Sequence, residues 1–322
     1  MRIEVSRISN RINENDVFQY IDHNFEKIAT EWFKFQLEWN SSAYTSFKDY
    51  EKYLILIYLI NKILDFYSKH FIKMNYDEFY SKDKIEIDHF NIIDISKDLK
   101  IAKETARRKV MELEKAGVIL RLKKKLSIYN VIKRKAFKFN MPEKSVKKLS
   151  SLFNNISVIL EENRVIKKQI DANKIEKFIF DNFSYCWKLF FEMQIPSLVN
   201  WKTYFGDLET WTILEYCTVN QNLEYQKQTI KNLKKKDSFL EEMSKYKNQK
   251  GINAMSISNL SGIPRGTVIR KLHWLVKKNV LTRDKKKLYT PKKMNKEIIA
   301  NHEKTKKLLS IFITKIFNVI IT

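Results

Sequence analysis

The sequence predicts a mainly α chain made of two copies of one unit, each closing on a small β-hairpin. Three observations lead there. The chain holds only 5 Gly and 4 Pro in 322 residues, too few for the tight turns and Gly-rich loops of large all-β or doubly wound nucleotide folds. Apolar residues recur at helical spacing through long stretches. One segment also returns 162 residues later without a gap, Ser96 to Ser258 and Leu113 to Leu275, and such internal repetition defines an architecture before any single element does.

At about 100–200 residues per domain, the length suits two domains. Hydrophobic residues at 44% and aromatics at 13% exclude a disordered chain despite 30% charged residues. Lys and Arg number 61 against 37 Asp and Glu, a formal charge of +24, and such a field attracts polyanions. Frequent Lys, Asn, Ile, Phe and Tyr also fit AT-rich codons. That bias would not remove the compensating acids, so a basic surface is still expected. Cys186 and Cys217 form no CxxC, which points to buried small hydrophobes in a reducing compartment and no zinc or other metal site. Met1 to Arg7 lacks an apolar signal core. Tyr53 to Ile60 ends at Asn61-Lys62, and Leu308 to Ile321 is broken by Lys315, so both fall short of the ~20 residues of a span. A cytoplasmic, nucleoid-associated protein without a membrane partner is expected. His23, His70, His89, His273 and His302 are scattered. No Ser-His-Asp order, HExxH or Gly-rich phosphate loop accompanies them, so no catalytic residue and no cofactor is assigned.

Each copy reads in the same order. An aromatic helix comes first, Val17 to Trp39 or Lys174 to Met193, with Trp32 and Trp187 in corresponding places. Its aromatics suit a core or an interface between repeats better than a ligand pocket. A second helix follows, Phe47 to Lys69 or Tyr204 to Tyr225. Here Phe47, Asp49, Glu51 and Ile55 align with Phe205, Asp207, Glu209 and Ile213 at an offset of 158. The polar connector from Gln226 to Lys250 is left without a function. Met141-Pro142-Glu143-Lys144-Ser145 is read as stopping any element, which puts the boundary between about Asn140 and Asn163 and gives units at 1–145 and 146–295. A C-terminal helix over 296–322 is expected to dock on the body or on a second chain.

Asn91 and Asn253 sit where a helix needs an N-cap. Short helices then run over Ile92 to Leu99 and Ala254 to Ser261, with Ile95 and Ile257 inward. Small side chains at Ser96 and Ser258 permit a close crossing. Gly262 suits a left-handed C-cap; Lys100, in the same place, departs from that pattern. Ile101 and Ile263 plug the turn. A second helix covers Ala102 to Lys115 and Pro264 to Lys277, with Pro264 near a first helical position. Ala106, Val110 and Leu113 share one face, as do Val268, Leu272 and Leu275. Gly117 and Asn279 stop these helices. Val118 to Leu122 and Leu126 to Asn130 flank Lys123-Lys124-Lys125. Val280 to Arg283 and Leu288 to Thr290 flank Asp284-Lys285-Lys286-Lys287.

With its cationic hairpin, the pattern Ser-x4-Ile-x3-Thr-[Ala/Val]-x-Arg-Lys-x3-Leu-x3-[Gly/Asn]-Val resembles the winged helix-turn-helix domain of bacterial transcription regulators. It occurs from Ser96 to Val118 and from Ser258 to Val280. The long preceding helices look like the layout of MarR-type regulators. The resemblance covers roughly 40 residues per copy. It implies helix-turn-helix segments at about 91–117 and 253–279 with wings at 118–131 and 280–291. The implied partner is double-stranded DNA, met by a homodimer or by one pseudo-dimeric chain.

A helix about 12 Å across fits the major groove, with its N-terminal part at the base edges. Lys103, Thr105, Arg107, Arg265, Thr267 and His273 are the candidate base readers. Arg108 and Arg270 lie one turn further in and suit phosphate clamping or bracing of the fold. Lys123, Lys124, Lys125, Lys285, Lys286 and Lys287 are expected to hold phosphates and so to set affinity and its salt slope. The two second helices differ, which suits an asymmetric site with two unlike half-sites. The reading is therefore a sequence-specific transcription regulator. A plasmid- or phage-type replication initiator with tandem winged helices is the alternative, and a winged-helix scaffold for protein or RNA the third.

Overall fold

The computed structural model describes residues 11–87, 91–122, 125–129, 141–229, 251–292 and 294–321. These form a mainly helical fold, 75% helix in 13 helices, with two small antiparallel sheets. The elements in chain order begin with α1 (Glu14–His23), α2 (Phe25–Phe47), α3 (Tyr50–Lys69), α4 (Tyr76–Ser81) and β1 (Lys84–Ile87). Next come α5 (Ile92–Leu99), α6 (Lys103–Lys115), β2 (Ile119–Leu122), β3 (Lys125–Tyr129) and α7 (Met141–Glu162). Then follow α8 (Ala172–Asp181), α9 (Phe183–Phe205), α10 (Leu208–Thr229), α11 (Ala254–Ser261) and α12 (Arg265–Lys277). β4 (Leu281–Arg283), β5 (Tyr289–Pro291) and α13 (Lys296–Ile321) complete the chain.

Each expected aromatic helix is in fact two. A 10-residue helix and a 23-residue helix meet at a single residue, Asn24 between α1 and α2 and Asn182 between α8 and α9. The cause is local. Each Asn turns its side-chain amide back on the carbonyl four residues earlier, Asn24 Nδ2 on Tyr20 at 2.9 Å and Asn182 Nδ2 on Phe178 at 2.8 Å. This competes with the helical ladder and bends it. α2 and α9 then end in left-handed residues, Lys48 at φ 53° and Gly206 at φ 83°. Asp49 and Asp207 follow. Asp49 Oδ1 accepts the Glu51 and Lys52 N–H groups at 2.9 and 3.1 Å, and Asp207 Oδ1 accepts that of Thr210 at 2.8 Å.

The long helices pack crosswise. α3 lies on α9 and α10 on α2, so the N-terminal and C-terminal halves share one core. Trp39 meets Trp187 and Phe190 at ring distances of 6.0 and 5.0 Å, and Phe35 meets Phe190 edge-on. Such contacts suit the ring quadrupole, which disfavours face-to-face stacking. These aromatics are buried in the core, and Trp32 and Phe33 also line a cavity with Trp201 and Trp211.

Met141-Pro142 does not stop an element. It opens α7, because proline is tolerated in a first helical turn; the expected unit boundary at 145/146 therefore falls inside a helix. Val146, Leu149, Phe153, Ile156 and Leu160 are all buried. α7 packs on α2 and α8, while α13 packs on α9 and α1. Phe153 of α7 touches Phe312 and Phe317 of α13. Each of these helices also ties down the segment entering a short helix. Ser157 Oγ accepts the Ile170 N–H at 2.9 Å, and Asn318 Oδ1 accepts that of Ile12 at 2.8 Å. α13 thus docks on the body. No described helix is long and apolar enough to cross a membrane.

Candidate nucleic-acid interface

Two modules stand on this core, each a short helix, a turn, a 13-residue helix and a hairpin. The caps form as expected. Asn91 accepts the Ile93 N–H at 2.9 Å and Asn253 that of Ser256 at 2.8 Å. Ile95, Leu99 and Ile101 are buried in one module, Ile257, Ser261 and Ile263 in the other. Lys100 adopts the same left-handed conformation as Gly262, at φ 50° against 72°. The serines do more than leave room. Ser96 Oγ donates to the Ile101 carbonyl and Ser258 Oγ to the Ile263 carbonyl, both at 2.7 Å. Each bond closes its turn, which is why a hydroxyl recurs there rather than alanine.

The inward face of the second helix is the expected one. Ala106, Val110 and Leu113 on α6 are buried, as are Val268, Leu272 and Leu275 on α12. Pro264 is the residue just before α12, not within it. The hairpins form by antiparallel pairing, Ile119 with Ile128 and Thr282 with Thr290. β1 adds a third strand to the first sheet, Ile85 opposite Ile128; Ile252 makes a single bridge to Tyr289 in the second.

Facing solvent on α6 are Lys103, Arg107 and Arg108, with Thr105 half-buried; on α12, Arg265, Arg270 and His273 are exposed and Thr267 half-buried. Lys285, Lys286 and Lys287 are exposed at the tip of the second hairpin. Asp284 shapes that tip by accepting the Leu288 N–H at 2.8 Å. Lys123 and Lys124, and the connector beyond Thr229 up to Lys250, lie outside the described residues. Lys125 begins β3.

The lysine that follows each of Arg108 and Arg270 belongs to the repeated pattern, but sequence alone assigns it no role. Lys109 pairs with Asp49 and Lys271 with Asp207, the residues that start α3 and α10. Only 13% and 15% of these two lysine side chains is accessible. Burial opposes the Lys109 charge, yet hydrogen bonding and attraction to Asp49 raise its pKa overall. Each second helix is thereby pinned to the long helix beneath it. The signal was present, since both the lysine and the aspartate recur. Asp49→Ala or Asp207→Ala removes an N-cap and takes from a mostly buried ammonium its main counter-charge, leaving Lys109 with Glu112 at 3.7 Å and Lys271 with no other ion pair among the described residues. We expect each to cost about 2–4 kcal/mol in urea unfolding. A loss under about 0.5 kcal/mol, the level of an ordinary surface substitution, would show the pins to be idle.

Among the described residues, no group of three His, Cys, Asp or Glu is placed to hold a metal. Cys186 and Cys217 are buried free thiols, and burial pushes both pKa values well up. Comparison with protein-family models, with curated proteins and with solved structures finds no match. What the chain offers is therefore its own geometry: two capped, hairpin-bearing modules with cationic outer faces on an interlocked helical base.

Proposed function

We propose that the protein is a sequence-specific DNA-binding transcription regulator of two unlike winged helix-turn-helix units, derived by internal duplication, acting as one pseudo-dimeric chain. The observation that carries this is the matched pair of second helices. α6 and α12 each bury one apolar face and turn a basic face to solvent, Lys103, Arg107 and Arg108 on one and Arg265, Arg270 and His273 on the other, with Thr105 and Thr267 half-buried beside them. On this reading α7 closes the first unit as α13 closes the second, and the two units run to about Glu162 and Ile321. The reciprocal packing does within one chain what a two-fold interface does between two subunits. The second helices then enter major grooves while the hairpins hold flanking phosphates. The protein works in the cytoplasm beside the nucleoid.

Because α6 and α12 differ in sequence, one chain fits a site with two unlike half-sites, near one turn apart. Selection of bound duplexes from a random pool by the full chain tests this. An enriched asymmetric motif is the expected result. Replacing Arg107 or Arg265 by Ala should then relax discrimination at one position by about 1–3 kcal/mol. A perfect inverted repeat would refute the single-chain arrangement. No retardation of any duplex at low salt would refute DNA binding itself.

A further inference from the structure

We infer that the two modules engage the duplex unequally: α12 and the β4–β5 hairpin form the main polyanion-binding face, and α6 is a weakly charged reader beside it. This rests on the DNA reading above and goes beyond it by assigning the electrostatic work to one half.

The argument is position by position. At the constant offset of 162, three acids of α6 have uncharged counterparts on α12. Glu104 corresponds to Gly266, Glu112 to Trp274 and Glu114 to Val276. In the first module each acid sits against a cation. Arg107 Nη1 lies 3.7 Å from Glu104, and Glu112 is shared by Arg108 at 3.9 Å, Lys109 at 3.7 Å and Lys52 of α3 at 3.4 Å. Arg121 at the start of the first hairpin is held by Glu114, with Nε donating at 2.9 Å. Exposed pairs of this kind add little stability. Their weight lies elsewhere: each carboxylate lies near where a phosphate would approach and offsets the attraction of the neighbouring cation.

Of these three cations Arg108 and Arg121 recur as Arg270 and Arg283, each without its acid, while Arg107 is replaced by Ile269. α12 has no Asp or Glu between Arg265 and Lys277. Arg265 and Arg270 are exposed and have no acidic partner among the described residues. With Val276 in place of an acid, Arg283 rests over the Tyr289 ring at 6.0 Å and has no acidic partner among the described residues. The Lys285-Lys286-Lys287 tip stands just beyond it. Gly266 adds a further point. A Cβ there would meet nothing within 4 Å, so no packing among the described residues demands glycine. Glycine inside a helix costs stability relative to alanine. The position lies in the first turn of α12, where backbone N–H groups and the helix dipole favour an approaching anion, and a bare backbone lets a phosphate come close.

The test is binding of a labelled mixed-sequence duplex to the full-length protein, followed by anisotropy between about 50 and 200 mM salt. Arg270→Ala/Arg283→Ala should lower the slope of log affinity against log salt by roughly 1.8, about 0.9 for each lost phosphate contact. Arg108→Ala/Arg121→Ala, at the corresponding positions, should lower it by less than half as much. Gly266→Glu copies the acid of the first module into open space. It should leave the melting temperature unchanged or higher, since an acid suits a helix N-terminus, and weaken binding about tenfold. Glu104→Gln, on the fully solvated face of α6, should tighten binding about twofold. Equal slope losses for the two arginine pairs, or Gly266→Glu bound as tightly as wild type, would overturn the inequality. Failure of the wild-type protein to bind any duplex is a different result: it removes the DNA reading, and the inequality falls with it.

Discussion

Cutting the chain in the segment between α7 and α8, at Lys167-Lys168, should give two pieces that are unfolded apart and re-form one fold when mixed. Neither half can complete its core. α1 needs α13, α8 needs α7, and the long helices pack in crossed pairs, α3 with α9 and α10 with α2. Separation would expose Trp39, Phe190, Phe153 and Phe317 together, all of which are almost fully buried. Each such side chain is worth about 3–5 kcal/mol when truncated in a packed core, and a whole domain is stable by only about 5–15 kcal/mol. A half-chain therefore lies far below threshold. The mixture regains its core at the cost of association entropy. Co-expressed halves should purify as a 1:1 complex with native circular dichroism, and either half alone should aggregate or stay unfolded. A stable, folded N-terminal half by itself would contradict the interlocked architecture.

The division between what the sequence announced and what it hid follows the range of the forces involved. Caps, turn residues and buried faces of α5, α6, α11 and α12 are set within a few residues, and Asn91, Asn253, Ile95 and Val268 took the places their chemistry indicated. Lys100 looked wrong for a left-handed cap because its support is distant. Lys202, from α9 in the other half of the chain, donates to the Leu99 and Lys100 carbonyls at 3.3 and 2.9 Å. It satisfies the open end of α5, which a local motif alone would otherwise have to do. No window around Lys100 contains that lysine.

α7 is a different case. Val146, Leu149, Phe153, Ile156 and Leu160 carry helical spacing that any pattern count would find, but Pro142 was weighed as a stop when it stands in a first turn. The correspondence of Trp32 with Trp187 failed for a related reason. Asn24 and Asn182 set the register, and they place Trp32 opposite Phe190. The outward residues of α6 and α12 were legible as candidates. Their neutralising acids were legible too, yet only the ion-pair geometry shows Glu104, Glu112 and Glu114 each drawn to a cation.

Replacing Glu215 by Gln should make the protein more stable at pH 8 by about 2–4 kcal/mol while leaving it nearly unchanged at pH 4.5. Glu215 lies on α10, almost fully buried, with Asn40 Nδ2 of α2 at 3.3 Å. Burial pushes its carboxyl up to about 8, against a small opposing effect of the Asn40 hydrogen bond. The folded protein therefore keeps this proton at neutral pH, whereas the unfolded chain releases it near pH 4.3. Between those values the folded state binds more protons than the unfolded one, so stability falls as pH rises and stops falling above about 8. Glu209, pushed up to about 7 chiefly by burial, adds to the same decline over a shorter window. His302 acts in the opposite sense on the acid side. Its ring sits beside Trp201 and Phe33, and burial with the nearby Lys306 charge lowers its pKa to about 3. The unfolded chain takes up that proton below about 6.5, so stability is lost as pH falls from there towards 3. These opposing windows place the stability maximum near pH 5. Glutamine keeps the amide-to-oxygen contact with Asn40 but has no proton to lose, so its advantage should grow steadily from pH 4.5 to pH 8. In the first half the corresponding residue is Ile57, at the offset of 158, and it is buried without any acid. Parallel stability curves for wild type and Glu215→Gln across that range would show that the carboxyl is ionised inside the fold, served by solvent or by Lys292 through the cavity it lines with Gln36, Trp211 and Thr218.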